Sequence, residues 1–170
     1  MKTTNLILLF AVALTGLSAG GGFANAIGYI PAMEDTPANH LLSFWQHADH
    51  YFRKRMPFFG NAILLSFIVN LVMMRNEWKS PAFWLLVLAF AVCICEMVVI
   101  FTQNLPINKI IETLNAEKPL TVDFEQLRRK AVTTFYIRAF LNVIAFALTL
   151  AASCFYWLSH YRLIDKVTRN

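Results

Sequence analysis

Four long apolar runs, separated by charged segments, constrain this chain more than any other feature. They lie at about residues 5–31, 56–74, 82–103 and 131–158. Each approaches the roughly 20 apolar residues that a helix needs to cross a bilayer. Of the 170 residues, 58% are hydrophobic and 15% are charged, against about 45–50% and about 25% in soluble domains. We therefore predict an all-α integral membrane protein, a four-helix bundle that forms a single transmembrane domain over residues 1–170.

Two polar segments connect the predicted spans at one end of the bundle. In residues 37–55, PANHLLSFWQHADHYFRKR, apolar residues recur at three- and four-residue steps, as in an amphipathic helix. We expect this additional helix in the first long loop to lie on the membrane surface or to cap the bundle. Residues 109–130 predict a second, polar helix, with a break and a new N-cap at Lys118-Pro119 and Thr121.

The basic residues mostly flank the spans. The net charge of +5 therefore gives information about the orientation of the protein in the membrane and is poor evidence for nucleic-acid binding. With four spans, both termini and the turn at 75–80 share one side of the membrane. The basic residues there lie close to helix ends, where they weigh most in topology. We expect a bacterial inner (plasma) membrane, with the termini on the cytoplasmic side and no nucleic-acid partner.

The first 30 residues allow an alternative interpretation as a signal peptide. Lys2 would form the charged region, residues 6–14 the apolar region, and Ala24-Asn25-Ala26 a cleavage-like site. However, the apolar run continues past this site to Ile30. We expect an uncleaved first helix, and N-terminal sequencing that began at Ile27 would contradict it.

Small residues crowd the first span in the stretch GLSAGGGFANAIG. Gly16 and Gly20 are four residues apart and so share one helix face. Small residues let helices approach closely in lipid. The stretch serves either helix packing alone or room for a flat ligand.

Polar residues inside the spans are informative because lipid offers them no hydrogen-bonding partners. Glu96 precedes Asn104 by eight residues, which is about 12 Å of helix, and Arg138 follows Lys130 by the same number. The two charges therefore lie at similar depth on neighbouring antiparallel helices, and we predict that they pair. The pair is either a structural clamp or the charged floor of a ligand pocket that opens toward the polar segments. Other asparagines predicted in this half of the bundle are Asn25, Asn61, Asn104 and Asn142.

The third span ends in the stretch TQNLPINKII. Pro106 lacks an N–H and disfavours helical geometry at Leu105, so we expect the helix to break there. Asn104 and Asn108 carry donors and acceptors that can satisfy the freed carbonyls or a ligand. The stretch is thus either a helix terminator or a terminator that also lines a pocket.

The motif NLPIN, after a third apolar span and before an arginine in span four, resembles the DUF1772 group of anthrone oxygenase-like membrane proteins. The glycine-rich first span ending near Pro31 and the position of Arg138 also fit this group. The likeness covers most of the chain, but only the Asn104–Asn108 motif is specific to the family. The chain departs from the family pattern at Thr134 and Phe135, where members often carry tryptophan and asparagine.

This resemblance implies oxidation of an anthrone- or quinol-type aromatic molecule by dioxygen, without a metal, a flavin or another cofactor. The protein would deprotonate the substrate and stabilise the resulting enolate. Arg138, Asn104 and Asn108 are candidates to hold the oxyanion, and Glu96 or His47 to accept the proton. We expect the lipophilic substrate to bind between helices, against Asn25, Asn61, Asn142 and Trp45.

His47 and His50 lie three residues apart on the predicted amphipathic helix. They can form a plain interfacial pair, a base over the pocket, or part of a metal or haem site, although Asp49 does not share their face. The interfacial pair is the interpretation we favour, and we expect no metal site. A stoichiometric metal in the purified protein would contradict it.

Motifs of other enzyme classes are missing from the sequence, among them a phosphate-binding loop, GxSxG, HExxH and paired CxxC. Two functions therefore remain open. One is the oxygenase-like activity. The other is a non-catalytic accessory subunit, or lipophilic-ligand-binding protein, of a larger membrane complex. Membrane lipid, a lipophilic aromatic molecule, and a second copy or a membrane-complex partner are the expected partners.

Overall fold

Four long helices, running alternately up and down, make up the part of the molecule that the structure describes. The computed structural model describes residues 3–116 and 123–168, and side chains as far as Ser159. The helices long and apolar enough to cross a membrane cover Thr3–Asp35, Ala38–Met73, Pro81–Thr113 and Phe124–Ser159. The predicted all-α membrane bundle is therefore confirmed. A helix of 33 residues is about 50 Å long, so each helix also extends beyond a hydrocarbon core of about 30 Å.

Two of the four helices contain a π-helical turn near the same end of the bundle. The first π-turn, Asn25–Tyr29, joins α1 to α2, and the second π-turn, Ile100–Asn104, joins α4 to α5. A 3₁₀ turn at Arg75–Glu77 connects α3 to α4. The α-helical segments of the described ranges are α1 (Thr3–Ala24), α2 (Ile30–Asp35), α3 (Ala38–Met73), α4 (Pro81–Val99), α5 (Leu105–Thr113) and α6 (Phe124–Thr168).

The amphipathic segment at 37–55 is helical, as expected, but it is not a separate element. It forms the first half of α3, which continues through Pro57 into the second span without interruption. A proline inside a helix costs about 3 kcal/mol because it removes one hydrogen bond and crowds the preceding turn. Both sides of Pro57 are anchored by buried residues, Trp45 before it and Phe67 after it, and this burial offsets the cost.

The prediction that the third span breaks at Pro106 is wrong. Leu105 keeps helical geometry, with φ −64° and ψ −41°, and its N–H bonds to the carbonyl of Ile100. This five-residue step widens the turn by one residue, which makes room for a proline without ending the helix. The first π-turn has the same arrangement, because Ile30 N–H bonds to Asn25 O immediately before Pro31.

Two separate apolar cores hold the four helices together. The bundle core lies in the apolar spans and includes Leu8, Phe67, Leu86 and Ala152. The cap core lies where the helices extend beyond those spans, and includes Met33, Leu42, Trp45, Ile107, Ile111 and Phe124. We call the part around this second core, residues 30–55, 105–113 and 124–131, the cap. Each core takes residues from all four helices, so the cap continues the bundle.

The predicted polar segment at 109–130 is divided between two helices. α5 ends at Thr113, and the Gln46 amide caps it by donating to the carbonyls of Ile111 and Leu114 at 2.8 and 2.9 Å. Helix α6 begins at Phe124, where the Asp123 carboxylate accepts from the Gln126 N–H at 3.0 Å. The predicted break and N-cap at Lys118-Pro119 and Thr121 lie outside the described residues.

The glycines of the first span differ in how closely they pack against other helices. A Cβ added at Gly16 would lie 3.2 Å from the Phe146 ring, and one added at Gly22 would lie 3.1 Å from the Ala139 Cα. Both positions therefore bring α1 close to α6. An added Cβ at Gly20 would meet nothing within 4 Å, so packing does not explain that glycine.

Candidate functional site

A charged pair lies between the two cores, on the third and fourth helices. Arg138 Nε is 3.3 Å from Glu96 Oε1, so the predicted contact is present. The same carboxylate oxygen accepts from Asn142 Nδ2 at 3.0 Å. Ser18 of the first helix donates to Asn142 Oδ1 at 2.7 Å. The side chains of Glu96 and Arg138 are 16% and 29% exposed, which leaves the arginine partly accessible from outside the bundle.

The second π-turn presents its last residue to this pair. Arg138 Nη1 donates to Asn104 Oδ1 at 2.6 Å, and Asn104 Nδ2 donates to Asn108 Oδ1 at 3.3 Å. Asn108 lies one turn further along, on the same face of α5. Both asparagines of the NLPIN motif are thus joined to Arg138 by hydrogen bonds, although the helix around them does not end.

The hydrogen-bonded chain continues from Asn108 into α3 and reaches the surface of the cap. Asn108 Nδ2 donates to Asp49 Oδ1 at 2.5 Å. Asp49 also pairs with Arg53, whose Nη1 lies 2.5 Å from Glu112 Oε1. We call the connected side chains Ser18, Asn142, Glu96, Arg138, Asn104, Asn108 and Asp49 the polar layer. It crosses the molecule between the bundle core and the cap core and draws on all four helices.

An aromatic cluster borders the polar layer on the cap side. Trp45 Nε1 donates to Asn108 Oδ1 at 3.3 Å, and its ring lies 6.2 Å from that of Phe135. Tyr29 lies 5.8 Å from Phe44 and 6.3 Å from Phe135, measured between ring centroids. Phe135 is one helical turn before Arg138 on α6, so aromatic surface and cationic donor occupy neighbouring positions.

The cavity beside the charged pair is small. A cavity of about 30 Å³ lies beside Glu96 and Asn142, with Gly60, Ile63 and Ala145 among its lining residues. That is close to the share of liquid volume of one water molecule, whereas pockets for drug-sized ligands measure about 300–1,000 Å³. An aromatic ligand with several rings therefore does not fit inside this cavity.

Three of the predicted site residues lie away from the polar layer. His47 is exposed, and its Nδ1 is 2.7 Å from the Ser43 carbonyl of its own helix. Asn25 and Asn61 are exposed as well. Their depth follows from the helical rise, but their direction around the helix axis points them outward. Roles for these three in binding or catalysis stay predictions, while Trp45, Glu96, Asn104, Asn108, Arg138 and Asn142 come together.

Asp49 is the main site residue that sequence reasoning missed. In the sequence it stands beside His47 and His50, whose helix face it does not share. A signal was present in the spacing, since Trp45, Asp49 and Arg53 recur every four residues and so do Asn104, Asn108 and Glu112. Residues four apart share a helix face, and these two rows are the ones that meet.

Comparison with known protein families, characterised proteins and solved structures found no match. Within the described part of the chain, no group of three or more His, Cys, Asp or Glu side chains is arranged to hold a metal ion. The functional interpretation therefore rests on the carboxylate, guanidinium and amide groups of the polar layer and on the aromatic cluster beside them.

Proposed function

We propose that this protein is a small membrane oxygenase-like enzyme that oxidises an aromatic, anthrone- or quinol-type lipophilic molecule without a metal or flavin. The observation that carries the proposal is the position of Arg138. Its Nε and Nη1 bind Glu96 and Asn104, while its Nη2 has no protein partner among the described residues. The guanidinium is therefore fixed in place and still has donors for a ligand oxygen.

The arrangement suits a substrate that enters from the lipid with its oxygen-bearing edge foremost. The rings would rest on the aromatic cluster of Tyr29, Phe44, Trp45 and Phe135, because aromatic pairs stabilise one another beyond simple burial. The substrate oxygen would then meet the Nη2 end of Arg138. The bulk of the ligand stays outside the cavity of about 30 Å³, as its volume requires.

The chemistry that follows needs a base, an anion site and dioxygen. Glu96 would remove a proton from the ring carbon, and Arg138 would stabilise the enolate oxygen that results. Attack of the carbanion on dioxygen forms a carbon–oxygen bond and, after protonation, a hydroperoxide. Loss of water breaks the oxygen–oxygen bond and leaves a carbonyl. One anthrone and one dioxygen thus give one anthraquinone and one water, and the proton on Glu96 is returned.

The test is oxygen uptake and quinone absorbance with an anthrone substrate, using chelated, detergent-purified protein. We compare wild type with Arg138→Ala, and use Arg129→Ala as the matched control, because Arg129 lies on the same helix and is exposed. Loss of one oxyanion donor costs about 10²–10³ in rate, so we expect a loss of that size in the first variant only. A wild-type rate no higher than the uncatalysed rate would refute the proposed activity.

A non-catalytic ligand-binding or accessory role is the second candidate. It is favoured by the two hydrogen bonds to Glu96, whose Oε1 accepts from both Arg138 and Asn142, since a carboxylate oxygen with two donors has less lone-pair capacity left for a substrate proton. Under this interpretation the same site binds an aromatic molecule and does not turn it over. A lipophilic ligand or a partner protein that co-purifies at unit ratio, with no oxygen uptake, would support it over the oxygenase.

We further place the termini on the cytoplasmic side of a bacterial inner membrane, so that the cap faces the opposite compartment. The basic residues close to the helix ends on the terminal side support this orientation.

A further inference from the structure

We infer that Asp49 is a positioning residue that orients both asparagines of the NLPIN motif, Asn104 and Asn108, and thereby holds the donor-only guanidinium of Arg138 toward an acceptor oxygen of the ligand. The inference rests on the proposed function, because it concerns which ligand oxygen Arg138 can bind. Asp49 lies on α3, and Asn108 separates it from Asn104. Its side chain is 11% exposed, so water contributes little to its hydrogen bonding.

Arg138, Asn104, Asn108 and Asp49 are connected by a series of hydrogen bonds. The direction of each bond in the series follows from the two groups at its ends, Arg138 and Asp49. An arginine side chain can only donate, and an ionised carboxylate can only accept. Asn104 must therefore turn its oxygen to Arg138, which leaves its N–H for Asn108. Asn108 receives that N–H on its oxygen and turns its own N–H to Asp49. The distances of 2.6, 3.3 and 2.5 Å along the chain agree with this single direction.

Trp45 provides an independent check on the direction. The indole N–H is a donor only, and it lies 3.3 Å from the same Asn108 oxygen that receives Asn104. Had Asn108 been turned over, two N–H groups would face its amide nitrogen, and a buried donor without an acceptor costs about 1–3 kcal/mol. The donor-only neighbour Trp45 and the acceptor-only neighbour Asp49 therefore require the same orientation of the Asn108 side-chain amide.

The consequence for the ligand appears at the Arg138 end. Because Asp49 holds the two amides in line, the Asn104 oxygen stays against Nη1 and the guanidinium cannot rotate away. The end left for a ligand, Nη2, offers N–H donors only. The site therefore favours a phenolate, enolate or other acceptor oxygen, and disfavours a cation or a group that can only donate.

Neutral Asn at position 49 replaces the charged, acceptor-only partner of the Asn108 N–H with a weaker acceptor. Asp49→Asn should therefore weaken the hold on Asn108 and, in sequence, on Asn104 and Arg138, although Trp45 and Asn104 still favour the same Asn108 orientation. The matched control is Asp35→Asn, which also removes one carboxylate from the cap end of the molecule but at an exposed position.

The first measurement needs no ligand. We propose nitrogen–proton NMR spectra of the full chain in detergent, with the Asn104 and Asn108 amide signals and the Arg138 Nε signal assigned from single-site variants. Asp49→Asn should shift all three signals, and Asp35→Asn none of them. If only the Asn108 signal moves, Asp49 is a local structural contact and the inference is overturned.

The second measurement uses two probes of equal ring size, 2-naphthol at a pH where it is ionised and its neutral methyl ether. Wild type should prefer the naphtholate, and Asp49→Asn should reduce that preference about tenfold, roughly the effect of one charge-assisted hydrogen bond, while binding of the ether stays the same. Equal weakening of both probes would overturn the selectivity. If wild type binds neither probe, the proposed function and the selectivity fail together, and the ligand-free spectra still decide whether Asp49 orients the amides.

Discussion

Neutralising Arg138 should destabilise the protein mainly through the charge it leaves behind on Glu96. The two interacting atoms lie 3.3 Å apart, which gives about 5 kcal/mol of attraction at an effective dielectric constant of about 20. Desolvation of both groups cancels much of that attraction. An uncompensated charge within a membrane span costs about 2.5–3.5 kcal/mol on insertion scales. Because both side chains keep partial exposure, we expect Arg138→Met to cost about 2–3 kcal/mol in the free energy of unfolding.

The double variant Glu96→Gln/Arg138→Met separates the charge effect from lost packing. With both charges removed, no uncompensated charge remains, and Gln can still accept from Asn142. We therefore expect the double variant to cost at least about 1.5 kcal/mol less than the sum of the two single variants. The assay is reversible unfolding in mixed detergent and SDS, followed by tryptophan fluorescence and circular dichroism. Additive single-variant costs would show that the pair is not coupled and would refute the reasoning.

Three further predictions follow from the helices and their orientation. Gly22→Leu should destabilise the protein by about 1–3 kcal/mol, because a Cβ at this position already lies 3.1 Å from the backbone of the facing helix. Gly20→Ala should be neutral or stabilising. The unfolding midpoints of the two variants test this prediction, and equal effects would contradict it. Pro106→Ala should raise thermal stability, since it restores a backbone donor, yet abolish the proposed turnover as the second π-turn rewinds; unchanged activity would contradict the need for that turn. In cells expressing a cysteine-free background, an impermeant maleimide should label a single cysteine introduced at Asp35 but not one at Asn76, and the reverse pattern would invert the proposed orientation.

The spans and the depth of the charged pair could be predicted because they depend on one-dimensional quantities. Apolar length marks a membrane helix, and the rise of 1.5 Å per residue places Glu96 and Arg138 at a common level. The direction in which a side chain points around the helix axis cannot be predicted in the same way as its depth, because it depends on which helices pack against each face. For this reason the helical rise predicts a depth for Asn25 and Asn61 but not the exposed faces on which they lie.

The behaviour of the proline sites could not be predicted from local preference alone. Pro57 and Pro106 both disfavour a continuous helix, yet packing on either side keeps α3 whole and the second π-turn keeps the third helix continuous. Tertiary burial outweighs a local cost of a few kcal/mol when large side chains are anchored on both sides. The same limit applies to Asp49, whose partner Asn108 lies 59 positions away in sequence.

A polar layer that crosses all four helices has a consequence for the surrounding lipid. Long stretches without charged residues are available only on one side of that layer, so the effective hydrophobic thickness of the protein is less than its helix lengths suggest. A thick, ordered bilayer would submerge Arg138 and Glu96 further, whereas a thin one would bring them to the headgroups at little cost. Lipid chain length thus becomes a means of regulating access to the arginine, acting through hydrophobic mismatch and without any dedicated effector site.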